Sequence, residues 1–387
     1  MLMNQLIEKF ISYFNTRPTV AAQAPGRLEV LGNHTDYNEG VVLSCAVGQT
    51  TRIVIAPQSD SDLCRVMDFR SGKEMSFTLS AMDAAPAANG SAYIVGMMNE
   101  MRKRGAKFTG FLAGLESSVP LSAGMSSSAA LETAAGLALG KVFGFDLDKA
   151  EWARAGQGVE NNFLGLKTGL LDQFSSLFGK KDNIIMSDFR TVEVIDTLPL
   201  QDGFVFVVIN SMKKHFLVDS DYNVRRENCE SAAKKLSAIY PGVKTLRDVT
   251  PQMLEDAAAE LSLLELSRAR HVVNECFRVQ SAKTILRDGD MKKFGQLLYD
   301  SHESSRVNFE NSTPELDYLV ELSKSIPGCI GARLSGGGFG GITIHLVKAE
   351  EAEKYCSRIC AAYKIQTGID AEHFICSIGD GAEVFTI

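Results

Sequence analysis

The chain has no excess of positive charge: 40 Lys and Arg stand against 47 Asp and Glu, a net charge of −7 over 387 residues. Nucleic acid and anionic membrane both call for a basic stripe, so neither is an expected partner. Basic residues cluster only locally, at Arg102–Arg104, Lys180–Lys181 and Lys213–His215. Long apolar runs are missing as well. The longest, Phe204–Ile209, falls far short of the ~20 residues that span a bilayer and reads as a buried strand. Eight cysteines are scattered without a C-x-x-C pair or zinc-type spacing, which suits buried thiols in a reducing cytoplasm. The G-x-x-x-x-G-K-[ST] loop occurs nowhere, so nucleotide phosphates, if bound, need a different loop design.

A hydrophobic content of 45% over this length supplies a large core and room for two lobes. Leu2, Leu6, Ile7, Phe10, Ile11 and Phe14 fall at helical spacing, but Glu8 and Lys9 interrupt the apolar stretch a signal peptide needs. Met1–Phe14 is therefore expected to be a docked amphipathic helix.

The stretch around which the rest is organised is Pro120–Leu131, Pro-Leu-Ser-Ala-Gly-Met-Ser-Ser-Ser-Ala-Ala-Leu. Gly124 permits a left-handed backbone or close approach to a ligand, and Ser126, Ser127 and Ser128 fall where a following helix leaves its first N–H groups unpaired. Such a start attracts phosphate, and a serine hydroxyl can join a Mg²⁺ shell. A serine-rich N-cap with no ligand is the competing reading. Gly140 and Gly144 mark the expected helix end.

Arg27–Gly40 packs Arg27, Asn33, His34, Asp36, Tyr37 and Asn38 between two apolar strands. Guanidinium, amide, imidazole and carboxylate are the groups that sugar hydroxyls require, although a polar hairpin turn is also compatible. Leu147–Asn162 should be a helix with Glu160 near its end, and Asp172 sits among apolar residues at a Gly-led helix start. There it could cap the helix or serve as an active-site carboxylate. Gly336–Gly341 formally satisfies G-x-G-x-x-G, but it enters a β-branched strand instead of a helix, so the dinucleotide-binding reading fails. Strands are expected at Val41–Val47 and Thr50–Ile55, with a junction between lobes around Ile184–Asp196.

Together these segments resemble the GHMP small-molecule kinases, and Arg27–Gly40 resembles the galactokinase signature Gly-Arg-x-Asn-x-x-Gly-Glu-His-Thr-Asp-Tyr-Asn. Further matches are Gly169-Leu-Leu-Asp172-Gln-Phe, His215 through Arg226, Ser301-His302 with Thr313–Asp317, and Gly337–Gly341, in family order along nearly the whole chain. The resemblance implies a two-lobed α+β fold, with a ribosomal-protein-S5-like lobe over residues 1–190 and a ferredoxin-like lobe over 191–387. It further implies transfer of the γ-phosphate of ATP to the anomeric hydroxyl of a hexose by a cytoplasmic monomer.

On this resemblance Asp172 and Arg27 match the catalytic pair, and Asn33, His34, Asp36 and Tyr222 match sugar-contacting positions. Gly124, Ser126, Ser127, Ser128 and Tyr93 match nucleotide positions, and Ser128 with Glu160 the Mg²⁺ ligands. The chain departs from the pattern at Asn33, where the signature has Glu, and at Glu29, where it has Asn. Lys214 replaces an Arg, Phe216 a Ser and Gly90 a Trp. An amide at 33 would spare a C6 carboxylate from repulsion, so galacturonate stands beside galactose as a substrate. A silent sugar sensor is the alternative of another class.

Overall fold

An amphipathic helix opens the chain: α1 (Met3–Phe14) buries Leu6 and Phe10 against Ala21, Val54, Ala56 and Leu112. The computed structural model describes residues 3–84, 90–121, 124–214 and 218–387. The Lys214 side chain, His215, Phe216 and the 85–89 part of the Ala/Pro loop lie outside the described residues.

Among the described residues eight strands form the first sheet. β1 (Val20–Leu31) and β2 (Val41–Gln58) are its centre, and β3 (Leu63–Asp68), β4 (Lys73–Thr78) and β5 (Gly110–Ser117) extend one side. The two strands expected at Val41–Val47 and Thr50–Ile55 are one strand of 18 residues. Its first half pairs with β6 (Asn183–Asp188) and its second with β5, so each half has its own neighbour. Side chains alternate across the sheet as the pleat requires. Val20, Ala22, Ala24, Ile53 and Ile55 face the main core, whereas Ala21 and Val54 face α1. The core face is covered by α2 (Gly90–Lys103), α3 (Ser127–Phe143), α4 (Lys149–Gly158) and α5 (Leu171–Phe178). Small residues let α3 sink between β1, β2 and α2, and Gly144, at φ 66°, ends it.

A boundary at residue 190 does not hold for the sheet. It falls between β6 and β7 (Glu193–Pro199), which pair from Asn183↔Pro199 to Asp188↔Glu193. The first sheet therefore continues to Pro199. The last strand, β12 (Glu383–Thr386), also returns to it and pairs with the start of β1. That four-residue strand is half polar and too short to show a period.

The second sheet is built from β8 (Phe204–Lys214), β9 (Cys329–Ser335), β10 (Gly340–Lys348) and β11 (Glu372–Cys376), in the order β11-β8-β10-β9 and all antiparallel. The apolar run Phe204–Ile209 is continuous because both faces are covered. Phe206 and Val208 join Leu28, Val30 and Leu43 of the first sheet, whereas Val207 and Ile209 meet Tyr355, Ile359 and Tyr363. The intervening helices are α6 (Val218–Ile239), α7 (Pro251–Asp256), α8 (Leu263–Arg287), α9 (Met291–Ser304) and α10 (Pro314–Ser325), and α11 (Ala352–Thr367) follows β10. Among the described residues no helix is long and apolar enough to cross a membrane.

Asp188, at the end of β6, binds Arg247 through both oxygens and caps the next turn by accepting from the Arg190 amide at 2.8 Å. Burial opposes its charge, but the Arg247 guanidinium and the turn amides hold its pKa below 3.8. A depressed carboxylate adds stability above its unfolded pKa and loses it as pH falls through the folded value. Asp188→Asn should therefore cost about 2 kcal/mol in urea denaturation at neutral pH, less than for a fully buried pair. The difference from the parent should shrink as pH falls below 3.8; a constant difference would show that the charge is not involved.

Candidate active site

β1 carries two bulges, between Pro25 and Arg27 and between Glu29 and Leu31. Bulges re-aim side chains, and Arg27 and Glu29 both line the cleft between the sheets. Arg27 Nη2 lies 2.7 Å and Nε 2.9 Å from Asp172 Oδ1, while Nη1 donates to the Gly124 carbonyl at 2.7 Å. The Ser126 hydroxyl donates to the other oxygen, Asp172 Oδ2. Arg27 is nearly buried and the Asp172 side chain is 30% exposed, so the carboxylate is fixed yet reachable.

Gly124 and Ser126 both hold left-handed φ, 62° and 54°. Ser126 is the N-cap of α3, but its hydroxyl is used on Asp172, so no side chain caps the first turn. The N–H groups at the helix start are thereby left to an anion, with the positive end of the dipole behind them. This loop lines a cavity of about 680 Å³ together with Lys213 and the glycine loop that joins β9 to β10.

Glu160 lies on a π turn, Val159–Phe163, which ends the helix expected to run to Asn162. Its Oε1 accepts from Ser128 at 3.3 Å and its Oε2 from Thr168 at 2.6 Å. A carboxylate and two hydroxyls are hard oxygen donors that suit Mg²⁺, which commonly takes the rest of its shell from phosphates and water. Tyr93 of α2 lines neither cavity among the described residues; its ring packs against the main core.

A second cavity, of about 210 Å³, opens on the other side of Arg27 and Asp172. His34, at φ 61°, stacks on Phe309 at 4.3 Å and contacts Tyr222 at 5.1 Å. Burial lowers its pKa to about 3, so the imidazole is neutral and offers no charge-assisted bond at neutral pH. Tyr37 meets Nδ1 at 3.0 Å, while the Gly337 carbonyl at 3.2 Å and the Asn311 amide nitrogen at 3.1 Å both meet Nε2. Asp36 accepts from the Leu171 amide at 3.4 Å. A Cβ at Gly169 would overlap the Asp36 carboxylate, so only glycine fits there. Burial, and then Asp172, raise the Asp36 pKa.

Asn33 is placed differently from the expectation. It lines the same cavity but is fully buried, and both amide hydrogens are committed, to Glu29 Oε1 at 2.8 Å and the Gly336 carbonyl at 2.9 Å. Its oxygen accepts from Asn311 at 3.0 Å and Ser305 at 3.3 Å. The side chain therefore has no spare N–H for a carboxylated sugar. The galactokinase signature carries the amide and the carboxylate at the reverse positions, and here a hydrogen bond joins the exchanged pair. Glu29 supplies the carboxyl group here, and Arg333, itself fully buried, holds it at 3.0 Å.

Several site residues escaped the sequence reading because they act from distant segments. Glu275 of α8 accepts from the amides of Gly32 and Asn33 at 3.0 and 3.1 Å and from Ser301 at 3.0 Å. Arg333, alone among apolar neighbours in β9, was the one visible signal. Thr168 and Asn311 carried none.

The model of the GHMP kinases N terminal domain matches residues 92–180, that of the galactokinase galactose-binding signature residues 8–57, and that of the GHMP kinases C terminal residues 282–365. The galactokinase of Glaesserella parasuis serovar 5 is 38% identical over 381 residues, 97% of each chain. That of Actinobacillus pleuropneumoniae serotype 3 is 38% identical over 382, covering 97% of this chain and 98% of its own. The structure of Lactococcus lactis galactokinase complexed with galactose superposes with a TM-score of 0.92 at 28% identity, over 99% of this chain and 100% of that one.

The Glu29–Asn33 pairing makes a direct test. Asn33→Glu places two carboxylates about 4 Å apart, a repulsion of roughly 4 kcal/mol at an effective dielectric near 20. The single variant should melt well below the parent, and the double variant Glu29→Asn/Asn33→Glu should recover most of the loss. A double variant as unstable as the single would show that the two sites do not couple.

Proposed function

The chain belongs to the GHMP kinase family, on its galactokinase branch, and from that premise we propose that it moves the γ-phosphoryl group of ATP onto the anomeric hydroxyl of galactose. The observation that carries this reading is that Arg27 and Asp172 stand in the wall common to both cavities. One cavity is walled by the phosphate loop and the other by the Arg27–Gly40 segment, so a donor and an acceptor would meet at that pair.

Phosphoryl transfer depends mainly on positioning and charge neutralisation. With Oδ1 held by Arg27 and Oδ2 by Ser126, Asp172 is aimed to accept a hydrogen bond from the sugar hydroxyl and take its proton. Arg27 supplies positive charge beside the transferring group. Ser127 and Ser128 present the α3 N-terminus to the phosphates, and Ser128 with Glu160 would hold Mg²⁺. The metal, when bound, would neutralise phosphate charge. His34, Asp36 and Tyr222 would frame the sugar.

A neutral hexose fits the smaller cavity better than a uronic acid. Glu29 brings a carboxylate to its wall and Asn33 has no free donor. The sensor alternative is weaker, since the hydroxyl, carboxylate and guanidinium groups needed for turnover are all present and mutually bonded.

Asp172→Asn should fold normally and lose most of its turnover in an ADP-release assay with Mg-ATP and galactose; near-parental kcat would remove Asp172 from the chemistry. Ser128→Ala should raise the Mg-ATP requirement more than the galactose KM, whereas equal effects on both would make the serine a general support of the loop.

A further inference from the structure

We propose that Glu132 is held as a neutral carboxylic acid, closed with the Gln173 amide into a two-bond pair that positions the phosphate loop against Asp172. Glu132 lies one turn beyond Ser128 on α3, and Gln173 follows Asp172 on α5; both are fully buried. Gln173 Nε2 donates to Glu132 Oε2 at 2.9 Å. The other oxygen of each group, Glu132 Oε1 and Gln173 Oε1, is buried with no hydrogen-bond partner. Two acceptors orphaned on two groups already joined by one bond need a single donor. A proton on Glu132 Oε1, given to Gln173 Oε1, satisfies both, where leaving them unpaired would cost each its desolvation penalty.

The surroundings favour the proton over an intervening water. A Cβ on Gly156 of α4 would sit 2.6 Å from Gln173 Cγ and 3.3 Å from Glu132 Oε2, so α4 closes directly over the pair. The charged groups facing Glu132 are Glu160 and Asp172, both negative, and burial is the largest influence; all three push its pKa well up, against Gln173 alone. Glu132 is thus a positioning residue: it touches no substrate but joins the helix behind the phosphate loop to the helix that carries Asp172. This role deepens the kinase reading and rests on it; the protonation state does not.

Infrared difference spectra of the parent minus Glu132→Gln, recorded at neutral pH without substrate, should show a protonated-carboxyl C=O band that shifts in D₂O. The amide introduced by Glu132→Gln keeps both hydrogen bonds and is permanently neutral, so the kcat of that variant should stay within about threefold of the parent. Glu132→Leu leaves Gln173 without its partner and should lose kcat by about tenfold or more, with a smaller change in sugar KM. Absence of the carboxyl band would overturn the proposal. So would a Glu132→Gln enzyme as impaired as Glu132→Leu, since the charge would then be needed. The spectra are read without turnover, so a parent that phosphorylates no sugar would refute the kinase reading and leave the protonation result standing.

Discussion

The ion pair between Arg27 and Asp172 fixes the relation of everything else in the cleft. Arg27 comes from the bulged part of β1, Asp172 from the start of α5, and the same guanidinium holds the Gly124 carbonyl of the phosphate loop. Three segments far apart in sequence are thereby set by one planar, permanently charged group. A lysine could neutralise the carboxylate but could not hold both partners in a fixed fork. The Ser126 contact completes the arrangement, because a hydroxyl used on Asp172 is not available to cap α3.

Buried carboxylates in this site take different states according to their partners. Glu275 is pushed up by burial, but Arg278 and the Gly32 amide, among others, overcome that and bring its pKa to about 2. It stays charged and clamps the Gly32–Asn33 backbone. Glu29 faces Arg333 and the Asn33 amide, yet burial still raises its pKa. Among the described residues Glu132 has no cation and only an amide for company. The ladder follows from counting cations and N–H donors within reach, and it leaves charge on the backbone clamp while withholding it behind the phosphate loop.

Local devices were legible in the sequence. The glycine and serines ahead of an apolar-periodic run marked the loop that lines the first cavity, and the polar density of Arg27–Gly40 marked the second. Phe204–Ile209 stood out as a buried strand because it is covered on both faces. What could not be read was anything that depends on long-range return of the chain. β12 is too short to show a period, and β7 belongs to the first sheet only through pairing with β6. Glu275 and Asn311 reach Asn33 across 242 and 278 residues of chain, and Arg333 reaches Glu29 across 304, separations that no local pattern encodes. Asn33 lines the second cavity, but its donors are consumed by neighbours that only the fold supplies.

A pair shared by two cavities can direct a phosphoryl group to one particular hydroxyl, and the most direct test is the ³¹P and ¹H NMR spectrum of the product formed from Mg-ATP and galactose. Transfer at the anomeric carbon should give one phosphomonoester signal coupled to H1 of the sugar. A phosphate coupled instead to the C6 protons, or consumption of ATP with only inorganic phosphate released, would contradict the placement of the acceptor against Asp172.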